Sequence, residues 1–450
     1  MDRIVIDGAH VVTVSGQEHP GGHVVVEGNR ITSVGPGPAP REDGPHRRID
    51  AAGCLLTPGL VNTHHHLYQW VTRGLAVDAT LFEWLTTLYP VWAGIDEDAV
   101  HTGATGALAT LALSGATTST DHHYVFPRAG GDLLGAEIRA AARVGLRFHP
   151  TRGSMNLGRS AGGLPPDEVV EDHDAVLTAS AKAVADWHDP APDAMVRIAL
   201  APCSPFSVTG ELMRDSAGLA RELGVRLHTH LAETADEEDF CRERFGCTPT
   251  RYAADLGWTG PDVWFAHTVH LDDDAVATIG STGTGIAHCP TSNGRLGAGI
   301  ARVRDLVDAG AVVGLGVDGA ASNEGTSLVE EVKHAVLFAR AVGGPRALGV
   351  REALRLGTLG GARVLGRDAE IGSIEPGKLA DLALWRIDGL GHGDVADPVA
   401  ALVLGAPPPL RLLLVDGRPV VEDGRMCTVD TDEVAARCAE VHRDLVAKAG

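Results

Sequence analysis

The stretch Val312-Val313-Gly314-Leu315-Gly316-Val317-Asp318 is a short apolar run that ends on an acid. A run of this length, bounded by turn residues, reads as a strand buried on both faces. The pattern recurs along the middle of the chain. Comparable runs lie at residues 54–61, 116–120, 146–150, 196–200, 225–229, 263–266 and 285–287, with Ala-rich helical stretches between them. Eight strands alternating with helices predict an α/β fold, a parallel (β/α)8 TIM-like barrel.

The phase of the reactive residues supports this reading. His64 and His66, Asp121-His122-His123, Arg152, Cys203, His230 with Glu233, His267, His288 and Asp318 all fall at the C-terminal ends of their runs. Barrels of this kind build their active sites at that end of the strands. Histidines scattered through a core would show no such phase.

Outside the barrel the sequence changes character. Runs at 4–8, 11–14, 23–28 and 31–34 are Val- and Ile-rich, with Asp-Gly and Glu-Gly punctuation that reads as a β-meander. Runs at 379–385, 411–417 and 420–424 are similar. The expected organisation is a small β-sandwich built from both termini, residues 1–57 and 368–450, the latter including a terminal helix. Residues 58–367 form the barrel.

The chain has 450 residues and a net charge of −21, with 44% hydrophobic and 22% charged residues. A nucleic-acid polymer would be repelled by that charge, so a small uncharged substrate is favoured. No stretch approaches the apolar length of a membrane span, and Met1 to Gly8 carries no basic region before an apolar run. The seven cysteines are scattered with no C-x-x-C pair, so neither a disulfide framework nor a zinc finger is suggested. A cytoplasmic, reducing location is expected, and so is a homo-oligomer.

Three segments carry the chemistry. In Thr63-His64-His65-His66, residues two apart on an extended chain share a face, so His64 and His66 can converge on one ion while His65 points away. Alone, this pair also fits a polar strand end. In His228-Thr229-His230-Leu231-Ala232-Glu233, His230 supplies a third imidazole. His228 shares its phase and is a rival, read as supporting rather than ligating. Glu233 can face the metal without binding it and shuttle protons, or simply start a helix. Asp318 ends a buried strand, where an acid is costly unless paired or metal-bound; the competing role is a helix N-cap. Together these give a metal site of His64, His66, His230 and Asp318.

The set resembles the amidohydrolase superfamily, in its mononuclear aminohydrolase branch. The matching motifs are 58–66, His230-Leu231-Ala232-Glu233, Ala266-His267, His288-Cys289-Pro290-Thr291-Ser292-Asn293, Asp318-Gly319-Ala320-Ala321-Ser322-Asn323, and the re-entry segment 372–382. The resemblance implies one divalent metal ion, because Ala201-Pro202-Cys203 stands where binuclear members carry a bridging lysine. Zinc is the expected ion and iron the alternative, since imidazole and carboxylate suit both. It further implies Asp318 as proton acceptor, Glu233 as proton donor to a ring nitrogen, and His267 holding the attacking hydroxide or the oxyanion. His270 is a weaker claimant for that last role.

Within the branch, segments 67–69, 81–85, 152–160 and 162–167 resemble 8-oxoguanine deaminases. This implies a free purine base as the small-molecule partner, and hydrolysis of 8-oxoguanine to urate plus ammonia. Guanine, isoxanthopterin and hydroxytriazines are the alternatives. Gln69 is expected to hydrogen-bond the base and Trp84 to pack on it. Arg152 and Ser322 are further expected substrate contacts. Guanine deaminases have Arg-Phe after the strand-four proline, whereas here Cys203-Ser204 follows Pro202. Guanine offers an acceptor at N7, which suits arginine; 8-oxoguanine offers N7–H, which suits an accepting sulfur, especially a thiolate. Cys203 is therefore expected to face N7–H. The Gly- and Pro-rich stretch 153–167 is expected to be a lid. More distant readings are an amidohydrolase that opens a cyclic amide and a catalytically dead binding protein.

Overall fold

The computed structural model describes residues 3–40 and 46–449. Eight parallel strands close into a barrel: Leu60–Asn62, Ala116–His123, Arg147–Ser154, Ala199–Pro202, Arg226–Leu231, Val263–His267, Gly285–His288 and Val312–Leu315. The ring closes where Leu315 pairs with Asn62. The strands are almost wholly buried, as expected when helices cover a parallel sheet on its outside.

The two chain ends form one nine-stranded sheet. Its alternation shows how it sits between two cores. Leu382, Leu384, Leu412 and Leu414 pack with Ile6, Val11, Val24 and Leu56 in a core built from the two chain ends. Their neighbours Ala383, Trp385, Leu413 and Val415 belong to the large cluster shared with the barrel helices. Successive side chains of a strand point to opposite faces, so one sheet serves both cores. The terminal helix Thr431–Ala449 buries Val434, Cys438, Val441 and Leu445 in that large cluster, alongside the barrel helix Glu97–Leu113.

Two differences from the sequence reading have a clear physical cause. Asp7-Gly8 is not a turn: Arg3–Val12 is one continuous strand, and Gly8, at φ 83°, sits in a register shift between Asp7 and Ala9. A bulge with left-handed glycine uses the same residue types as a turn, so the sequence signal is shared. The run 54–61 is likewise two strands. Cys54–Pro58 pairs antiparallel with Leu382–Arg386 in the terminal sheet, and Leu60–Asn62 then opens the barrel. Gly59 is the joint. A Cβ there would lie 2.1 Å from the Thr117 side chain, so only glycine lets the chain pass from sheet to barrel. Among the described residues no helix is long and apolar enough to cross a membrane.

Candidate functional site

The histidines at the strand ends can be assigned their hydrogens from their partners. His66 Nδ1 faces the His122 carbonyl at 2.7 Å, and His230 Nδ1 faces the Cys203 carbonyl at 2.7 Å. A carbonyl only accepts, so both rings carry hydrogen on Nδ1 and a bare lone pair on Nε2. His228 Nδ1 donates to the Trp264 carbonyl at 2.9 Å, which leaves its Nε2 to accept from His64 Nδ1 at 2.8 Å. His64 Nε2 is then bare as well, and it is buried without a hydrogen-bond partner. His228 is thus the support of His64, stacked on Trp264, and not a rival for the centre.

These bare nitrogens point at one another. His66 Nε2 and His230 Nε2 are 3.1 Å apart, and Asp318 Oδ1 lies 3.2 Å from His64 Nε2 and 3.3 Å from His66 Nε2. Lone pairs at these distances repel unless a cation lies among them. Zinc–nitrogen bonds of about 2.0–2.1 Å would separate tetrahedral ligand atoms by about 3.3 Å, so the donor set fits a divalent ion. Burial, the larger influence, holds His64 and His230 well below the usual imidazole range, which keeps them neutral and able to ligate. His65 points away, its Nδ1 accepting the His66 N–H. At the strand-two end, the His122 N–H donates to the His65 carbonyl and the Asp121 carboxylate Oδ1 accepts the Leu67 N–H.

Asp318 is fixed on its other oxygen. Oδ2 accepts from Ser292 Oγ at 2.6 Å and from Ser322 Oγ at 3.0 Å. Ser322 therefore orients Asp318 and does not line the pocket, contrary to its expected place on the substrate. Ser292 does the same, although nothing in its spacing along the sequence separates it from a helix-start serine. The other carboxyl group of the site is Glu233. Burial, reinforced by the charge of Asp318, pushes its carboxyl well above the ordinary range, toward the acid form.

His267 donates from Nδ1 to Asn293 Oδ1 at 2.9 Å, and its Nε2 lies 3.6 Å from Glu233 Oε2 and 4.0 Å from Asp318 Oδ2. One donor atom each of His64, His230, His267 and Asp318 lies within 4.8 Å of the others, so His267 borders the same centre. His66 Nε2 lies nearer to Asp318, at 3.3 Å, than His267 Nε2 does, at 4.0 Å. His270 is turned away and bonded to the Ala298 carbonyl. Ala232, His267 and Asp318 all have left-handed backbone, with φ of 53°, 72° and 62°. Such strain at non-glycine residues collects at functional sites.

A small pocket, with a cavity volume of about 30 Å3, opens on this centre. Gln69 and Trp84 both line it. The Gln69 amide is buried with neither end partnered, whereas Trp84 spends its N–H on the Ala321 carbonyl and offers the pocket its ring. Cys203 lines it too, but burial pushes its thiol up to about 12, so it is a neutral thiol and the thiolate expectation is corrected.

Arg152 is committed elsewhere, bonded to Glu171 and the Gly153 carbonyl and lying 3.6 Å over the Phe126 ring. The stretch 153–167 contributes no pocket residue; it is bonded behind the wall through Leu164 N–H to the Phe206 carbonyl. Tyr89, Tyr124, Ser204 and Phe206 line the pocket and were missed. Tyr124 directly follows Asp121-His122-His123, a signal that was available.

The comparisons with known proteins agree with this geometry. The amidohydrolase family model matches residues 55–420. An 8-oxoguanine deaminase of Pseudomonas aeruginosa is 43% identical over 95% of both chains. An isoxanthopterin deaminase from an unknown prokaryotic organism is 37% identical, over 95% of this chain and 92% of that one. The crystal structure of an atrazine chlorohydrolase from Arthrobacter aurescens TC1, complexed with zinc, superposes with a TM-score of 0.93 at 33% identity, covering 98% of this chain and 100% of the other.

Proposed function

The chain belongs to the amidohydrolase family, and from that premise we propose that it hydrolyses 8-oxoguanine to urate and ammonia. It is a metal-dependent aminohydrolase, and the question is the base it takes. The observation that carries the substrate is the pocket wall: among the described residues, no lysine or arginine lines it, and a neutral thiol stands on the strand-four side. Guanine would present the N7 acceptor to this side without a strong donor to meet it. In 8-oxoguanine the same edge carries N7–H, which a sulfur can accept. Gln69, with both amide ends unpartnered, can meet the mixed donor and acceptor edge of the ring.

His64, His66, His230 and Asp318 would hold the ion, which supplies Lewis acidity and so makes water a nucleophile at neutral pH. His267, with hydrogen on Nδ1, presents Nε2 as an acceptor that aims the attacking water. This is the first of its two expected roles, holding the attacking nucleophile. Asp318 takes the proton of that water. Glu233, pushed toward the acid form, gives its proton to the ring nitrogen beside the amino-bearing carbon. Asp318 then returns its proton to the leaving amine, and the proton left on the new hydroxyl goes back to Glu233 as the product carbonyl forms. The balance is one 8-oxoguanine and one water to one urate and one ammonia.

Ammonia release from a panel of 8-oxoguanine, guanine, isoxanthopterin and hydroxytriazines tests the substrate. We expect kcat/KM for 8-oxoguanine to exceed that for guanine about 10-fold or more, a difference of ~1.4 kcal/mol. Faster turnover of guanine overturns the assignment. Cys203→Ala is expected to lower kcat/KM for 8-oxoguanine about 5-fold, the worth of one modest hydrogen bond. An unchanged value removes Cys203 from the substrate.

Elemental analysis is expected to find one divalent ion per chain. Acidification should release it, because the bare imidazoles must take up protons as pH falls. Protein that holds no ion and cannot be reconstituted would contradict the proposed site.

A further inference from the structure

Glu237 lies in the first turn of the helix Ala235–Phe245 and is completely buried. Its carboxyl turns back toward the strand-five end. Oε1 accepts the N–H of Ala232 at 2.9 Å, and Oε2 accepts the N–H of Glu233 at 2.9 Å. This is more than helix capping. In a capping box the acid at this position takes the N–H of the N-cap residue, here Thr234, whereas Glu237 holds the two residues before it.

The Ala232 carbonyl is gripped from the other side, by the N–H of Val269 at 2.8 Å and of His270 at 2.9 Å. Thr268 N–H donates to the Leu231 carbonyl at 3.0 Å. Ala232 is therefore the joint between the loop carrying Glu233 and the loop carrying His267. At this joint the backbone is left-handed at Ala232, His267 and Thr268, with φ of 53°, 72° and 47°. Side-chain-bearing residues adopt that region rarely, so the loops need an external hold.

We propose that Glu237 is a positioning residue whose carboxylate pins the Ala232 and Glu233 amides, so that the Glu233 carboxyl and the His267 imidazole meet over the pocket. The inference rests on the roles given to Glu233 and His267 above. A carboxylate accepts both hydrogens equally, while an amide would turn its NH2 against one of them. Burial pushes Glu237 up, the two amides pull it back, as donors to the charged form must, and the balance stands at about 7.

The test is Glu237→Gln, assayed with 8-oxoguanine. Misplacing the catalytic pair should lower kcat about 10- to 100-fold, with KM within about 3-fold and metal content unchanged. The double variant with Glu233→Gln should lose less than the product of the two single losses, because Glu237 acts in part through Glu233. Amide hydrogen exchange across residues 231–238 should quicken in Glu237→Gln, a readout that needs no turnover. Should that variant not fold, Glu237→Asp keeps the charge, loses the reach and is expected to show the same losses. Wild-type kcat with unchanged exchange overturns the proposal, and so do losses that multiply in the double variant. If Glu233→Gln keeps full activity, the reaction reading fails instead, and the exchange measurement still decides whether Glu237 is the clamp.

Discussion

Asp318→Asn is expected to lower kcat/KM about 10³-fold or more and to reduce the metal content of the purified protein. Two losses combine. The first is electrostatic: Oδ1 sits 3.2 Å and 3.3 Å from the bare nitrogens of His64 and His66. An asparagine removes the only negative charge of the four expected ligands, and leaves three neutral imidazoles to hold a dication. The second is chemical, because an amide cannot take the proton of the attacking water, a contribution of about 10²–10⁴-fold for a positioned base.

The bonds from Ser292 and Ser322 to Oδ2 sharpen the contrast. Removing either hydroxyl alone leaves the charge and one anchor in place. Ser322→Ala should therefore cost only about 10-fold, the lower end of what an outer partner contributes. Elemental analysis beside steady-state kinetics checks both variants. Full metal content with near-native turnover in Asp318→Asn would remove Asp318 from both roles.

The barrel was legible because buried parallel strands are short and apolar, and because His64, His230, His267 and Asp318 share one phase at their ends. The convergence of His64 and His66 followed from extended-chain geometry, which a sequence states directly. What lay beyond was set by how loops fold back. Ser322 is four residues past Asp318, and nothing local says whether it faces the pocket or the carboxylate behind it. Tyr89 reaches the pocket from the helix Leu81–Trp92, whose inward face depends on how that helix packs across the barrel mouth. Arg152 had the right strand phase, but Glu171, part of a loop that returns later, captures it. The Cys203 thiolate failed for a related reason: burial decides protonation, and burial at a strand end is a property of the finished pocket.

Glu233→Gln is expected to lower kcat about 10²–10⁴-fold while KM and metal content stay near native. Glu233 is buried, lies 3.6 Å from His267 Nε2, and is pushed up by burial and by the charge of Asp318. Those influences favour the acid form, which is the form that can protonate a ring nitrogen. Glutamine has the same shape and can donate an N–H to that nitrogen, so the base should still bind. It cannot transfer the hydrogen, so the ring nitrogen would carry the negative charge that attack places on it. The loss therefore falls on kcat, the mark of an interaction made only on the way to the transition state. A rise in KM with kcat unchanged would make Glu233 a binding group, and the proton would then have to come from elsewhere in the pocket.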